Sequence, residues 1–218
     1  MSTLAKHHGL AYGALKAGSG LRCFVLVAAL FVLAVAPAAA HPHVFIHNTM
    51  AVDFEHDKLA GIEVNWVFDE LFSELVLVDF KPDAEGHYTD KSATEIKKRA
   101  FDNLKNYHYF LGLSLDGVPI RKFSIERFVP SVENNKHLLA YSFFVRLDIP
   151  VSKRNRTLSI TVYDDTYYVA FDLMHAEEIA LKGTDGLEVS RSIEKSTVKA
   201  VWPGQYMPDN VVIRFKVQ

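Results

Sequence analysis

The chain has 218 residues, 26 acidic and 24 basic side chains, and 49% hydrophobic and 12% aromatic content, enough for a sizeable core in one domain or two small ones. Its net charge of −2 argues against nucleic acid as a partner. A lone cysteine, Cys23, excludes a disulfide framework.

Residues 1–40 hold Lys6, Lys16 and Arg22 but no acid, then an apolar run, CFVLVAALFVLAVA, then Pro37 and three alanines. This is the pattern of a cleavable secretory signal peptide. The run is shorter than the ~20 residues a spanning helix needs, and Ala38-Ala39-Ala40 supplies the small residues of a cut site. The rival reading is an uncleaved anchor. Cys23 stands at the front of the run, where it cannot become a lipid-bearing first residue. Cleavage after Ala40 would leave a periplasmic domain over 41–218 that begins at His41. Three of the 24 basic residues lie before that point, so 21 remain against 26 acids, a net charge of −5.

From His43 to Glu55 the residues alternate, Val44, Ile46, Met50, Val52 and Phe54 against His43, His47, Thr49, Asp53 and Glu55, which predicts a half-buried strand. After a turn around His56-Asp57-Lys58 the alternation resumes through Ile62, Val64, Trp66 and Phe68, completing a hairpin. DELFSELVLVDF places Leu71, Phe72, Leu75 and Val76 at helical spacing and is read as a short helix, although Val76-Leu77-Val78 suits a strand equally. KPDAEGHYTDK is a polar loop. Ser92-Ala93-Thr94-Glu95 reads as a capping box, opening a long helix with a buried stripe of Ile96, Ala100, Leu104 and Tyr107 and an end near His108.

The second half is nearly all strand: YFLGLSL, an Asp116-Gly117 turn, VPIRKFSIERFV, LLAYSFFVRLDI, TLSITVYDD, YYVAFDL and NVVIRFKV. The expected fold class is α+β, mainly antiparallel sheet with one long helix and one short one. A subdivision near 105–118 has no linker to mark it.

The chemistry concentrates at HPHVFIH. A histidine at a new N-terminus offers both its α-amine and its imidazole to one metal ion, a chelate that no other position can form. His43, two residues on, shares the face of an extended strand, and such a pair suits Zn, Ni, Co or Cu. Pro42 favours the extended backbone this needs. It also has no amide proton to lose, which rules out the full square-planar copper or nickel site and favours an exchangeable one. His47 shares the face but stands about 13 Å beyond His43 at strand rise. If hairpin partners sum to about 116, Asp69 lies across from His47, while a shorter turn brings it toward His43. Glu70 and Glu74 follow it, and Asp164-Asp165 is a second acidic spot. The bland readings are solvated histidines, a helix cap for Asp69 and a turn for Asp164. The remaining histidines, and Tyr107, Tyr109, Tyr163, Tyr167 and Tyr168, read as surface or packing residues. No nucleophile elbow, phosphate loop, dinucleotide fingerprint or Cys-x-x-Cys is present.

His41-Pro42-His43-Val44-Phe45-Ile46, Trp66-Val67-Phe68-Asp69-Glu70 with Phe72-Ser73, and Tyr163-Asp164 with Thr166-Tyr167-Tyr168-Val169 together resemble the bacterial domain-of-unknown-function family numbered 1007. The resemblance runs over essentially all of 41–218. It implies a periplasmic protein of the kind often labelled a component of an uncharacterised transport system, commonly encoded beside a nickel/cobalt-type membrane permease, with zinc handling in some relatives. No enzymatic activity is established for the family, so the expectation is not an enzyme. The family pattern would place proline where Asp165 stands, so Asp164 is the position that carries over. The resulting expectation is an accessory protein that binds a divalent transition metal through His41, His43, His47, Asp69 and Asp164 and exchanges it with an integral-membrane permease. The alternatives are a copper-dependent oxidase with an N-terminal histidine brace and a metal-free module that docks on the permease.

Overall fold

The computed structural model describes residues 43–133, 137–166, 168–172, 175–195 and 208–218. Residues 1–40, expected from sequence to be a signal peptide, and His41 and Pro42 lie outside the described residues. The alternating opening segment forms β1 (Val44–Glu55) and β2 (Lys58–Phe68), antiparallel about a two-residue turn in which His56 takes a φ of 52°. A register shift between Asp53 and Phe54 carries the pairing to Ile46 opposite Phe68. Partner numbers there sum to two fewer than the 116 expected from sequence, so Asp69 follows on opposite Phe45. Its backbone N–H donates to the Phe45 carbonyl at 3.0 Å.

Helix α1 (Glu70–Asp79) confirms the helical reading of DELFSELVLVDF. Its buried Ser73 ties it down, the hydroxyl accepting from Leu139 N–H at 2.9 Å and donating to the Phe68 carbonyl at 3.4 Å. Helix α2 (Asp90–Ile96) begins two residues before the expected capping box, with Thr89 as cap and its hydroxyl accepting from Ser92 N–H.

The long helix expected to end near His108 is corrected. After Ile96 the chain makes a π-helical turn (Lys97–Phe101) and then a 3-10 stretch (Asp102–Phe110). His108, Tyr109 and Phe110 all have φ between 49° and 56°. The wider π turn moves burial from the expected Ala100 to Phe101, five residues after Ile96, and Tyr107 is 52% exposed instead of buried.

The remaining strands are β3 (Leu111–Leu115), β4 (Val118–Pro119), β5 (Ser124–Glu133), β6 (Leu138–Pro150), β7 (Arg156–Val162), β8 (Val169–Phe171), β9 (Ile179–Lys182), β10 (Leu187–Lys195) and β11 (Asp209–Val217). One sheet runs β5-β6-β2-β1, with β8 and β9 both parallel to β1; the other runs β10-β11-β7-β3-β4. Eleven strands in two sheets dominate the described residues. The protein is therefore mainly β, and the α+β expectation is overturned: the helical segments are short, and β9 and β10 add strand where none was expected.

One apolar core joins the facing sheets. Phe54 of β1 meets Phe215 of β11 edge-on at 5.4 Å, and Trp66 packs on Phe143 at 4.8 Å and on Phe171 at 5.6 Å. The even-numbered side chains of β1 enter this core, while Phe45 and His47 stand on the outer face. Phe101, from the π turn, closes over Tyr141 and Phe143.

Candidate functional site

Outer-face residues at the start of β1, together with the first turn of α1, line an open depression: His43, Phe45, Asp69, Glu70, Leu71 and Leu138. The backbone of this corner is fixed by Asp69. Its Oδ1 accepts from Phe72 N–H at 2.9 Å, capping α1, and its Oδ2 accepts from Phe45 N–H at 2.6 Å, clamping the helix start to β1. Both carboxylate oxygens are thus engaged with the backbone, which leaves exposed Glu70 as the freer carboxylate beside His43.

His43 is held by its own backbone, whose N–H donates to the Tyr168 carbonyl at 2.8 Å, and its ring lies 5.0 Å from the Tyr168 ring. His47, half-exposed, has Nδ1 against Asp172 Oδ2. The other oxygen of Asp172 accepts from Asn48 N–H at 3.1 Å, so the carboxylate is fixed in place before it orients the ring. A metal-binding imidazole is commonly held in this way, with one nitrogen on a carboxylate and the other presented outward. Sequence reasoning missed Asp172. It sits at the end of β8, and only the parallel pairing of β8 with β1 brings it to His47 across 125 positions.

Asp164 is 7% exposed, and its role is local. Oδ1 accepts from the Thr166 N–H and hydroxyl at 2.9 and 2.7 Å, and Oδ2 from the N–H groups of Tyr168 and Val169 at 3.1 and 2.9 Å. Four donors on one carboxylate shape the turn into β8 and occupy the lone-pair positions that a cation would need. Of the five residues expected to bind metal, the structure places His43 and Asp69 in one depression, sets His47 further along the same strand and commits Asp164 elsewhere. His41 lies outside the described residues. Among the described residues, no group of three or more His, Cys, Asp or Glu side chains is arranged to hold a metal ion. The fit to a cation therefore depends on His41 joining His43 and Glu70.

A family described as "Protein of unknown function (DUF1007)" matches residues 26–201. The chain belongs to this family. It is 30% identical over 133 residues to an uncharacterized 15.5 kDa protein in the trpE 3' region of Spirochaeta aurantia, an alignment that covers 61% of this chain and 93% of that protein. It is also 30% identical over 131 residues to an uncharacterized protein of Haemophilus influenzae, covering 60% of this chain and 62% of that one. Both the Asp69 corner and the Asp164 turn fall within the span that matches the family.

Proposed function

We propose that the chain is a periplasmic accessory protein that binds a divalent transition metal and exchanges it with a membrane permease. The cation is cargo. The observation that carries this reading is the open depression that Glu70 lines together with His43, two residues after His41 in the chain. The amine and imidazole of a first-residue His41, the His43 imidazole and the Glu70 carboxylate would together make a three-residue, exchangeable site for Zn, Ni, Co or Cu. His47, steadied by Asp172, stands on the same face as a second contact point through which a cation could pass.

The test is native mass spectrometry and calorimetry on the exported protein. The expected result is a chain that starts at His41 and takes up about one ion, with affinity lost in His43→Ala and on adding one residue ahead of His41. Unchanged affinity in both variants overturns the site.

A second reading, a metal-free docking module, draws on α1. Leu71, Leu75 and Val78, at least 65% exposed, follow one another at helical spacing on its solvent side, and exposed Phe45 lies close by in the depression with Leu71. No heat with any of the four ions, together with loss of permease binding in Leu75→Glu, would favour that reading over the first.

A further inference from the structure

A cavity of about 290 Å³ opens on the opposite face of β1, between the sheet and the kinked helical segment. Its wall is apolar, formed by Val44, Ile46, Phe68, Phe72, Leu104 and Phe110. Two further wall residues carry polar atoms deep in the protein. Trp66 is 0% and Tyr141 is 1% exposed, and neither the indole Nε1 nor the phenolic oxygen has a hydrogen-bond partner among the described residues. Buried donors are nearly always satisfied, and an indole N–H can only donate. Burial holds the Tyr141 phenol well above its ordinary pKa, with Tyr88 adding to the shift, so its hydroxyl keeps its proton at neutral pH.

The cavity also contains strain. Phe110 reaches the wall through three consecutive non-glycine residues at positive φ, a costly conformation that native structures tend to keep where it serves a site. Exposed Tyr107 and Tyr168 flank the opening. The one carboxylate in the lining, Asp164, already accepts from four donors and offers no free pairing to a cationic guest.

We infer that this cavity binds an uncharged, mainly apolar small molecule that carries a carbonyl-type acceptor, received by the Trp66 indole N–H and the Tyr141 hydroxyl. An apolar cavity of ~150 Å³ takes benzene, so this one takes a guest of about twice that size, roughly a dozen heavy atoms. Apolar walls with a few placed polar groups are the usual make-up of such sites. The site lies across β1 from the histidine depression, because alternate residues of β1 face the two sides, and Tyr168, whose ring packs on that of His43, touches both.

The probes are 1-tetralone and its acceptor-free counterpart tetralin, added to the full exported chain and followed by calorimetry and by the ¹H–¹⁵N signal of the Trp66 indole in a Trp202→Phe background. The ketone is expected to bind saturably and to move the indole proton downfield, with tetralin about 25-fold weaker, the value of two ordinary hydrogen bonds. Tyr141→Phe should cut the affinity for the ketone about 5-fold, the value of one such bond, and leave tetralin unchanged. Leu104→Trp, which fills the space from a half-buried position, should abolish both. Failure of both probes to saturate would mean that the cavity holds water only. That outcome overturns the inference, as does equal binding of ketone and hydrocarbon with an unmoved indole signal, or full binding by Leu104→Trp.

Discussion

Asp69 carries two hydrogen bonds that tie different elements together, one to the first turn of α1 and one to β1. Losing a helix cap costs about 1 kcal/mol, and losing the clamp on Phe45 N–H adds a similar amount. Asp69→Ala should therefore lower stability by about 2 kcal/mol in urea denaturation, while Asp69→Asn, which keeps one acceptor oxygen, should lose less. Metal affinity measured under native conditions should survive both changes. Loss of metal binding at unchanged stability would make Asp69 a ligand after all. The sequence already carried the reading of Asp69 as a helix cap, because the residue stands directly before an apolar helical pattern. Its second bond was not legible, since it depends on a register set by the bulge between Asp53 and Phe54. The same holds for His47: the imidazole was visible in the sequence, but its Asp172 partner arrives only through parallel strand pairing.

At the level of elements, the turn between β3 and β4 is held by Asp116, which itself has a φ of 51°. Oδ1 accepts from Thr157 N–H at 2.8 Å and Oδ2 from Arg156 Nε at 2.7 Å, and these bonds, the Thr157 one foremost, hold the carboxyl below its usual range. A depressed folded-state pKa stabilises the protein above the ordinary carboxylate value near ~4 and ceases to do so as pH falls through the lowered one. Asp116→Asn should then be less stable than the parent at pH 7 and should show a flatter loss of stability toward low pH in thermal melts. Parallel acid limbs for the two proteins would contradict this account. Strands with strict alternation, β1 and β2 above all, were legible from sequence because one face is apolar. By contrast, β9 and β10 escaped notice: IALK is very short, and LEVSRSIEK is half-exposed along most of its length. The broken helix could not be foreseen either, because at about 3.6 residues per turn Ala100 falls on the Ile96 stripe and Phe101 does not; only the π turn brings the larger ring round to Tyr141 and Phe143.

For the molecule as a whole, the first strand is completed by some of the last. β1 pairs with β2 on one side and with β8 and β9 on the other, and Gly183 at the end of β9 lets the chain pass close to β1. Its φ is 65°, and an added Cβ would stand 1.9 Å from the Phe54 carbonyl oxygen. Gly183→Ala should displace β9 and cost about 2 kcal/mol or more through strain and overpacking, seen as a lower urea midpoint and faster light scattering on warming. A wild-type midpoint would show that β9 gives no support to β1.

The arrangement also sets an order of events during synthesis. Some 125 residues separate His47 from the partner that comes to lie beside it, so the ribosome releases β1 long before β8 and β9 exist. Through that interval its unpaired amides and carbonyls remain available to any extended neighbour, including the same strand of another nascent copy. A holding chaperone that shields this early segment would be expected to raise the yield of folded protein more than one that acts on the finished chain.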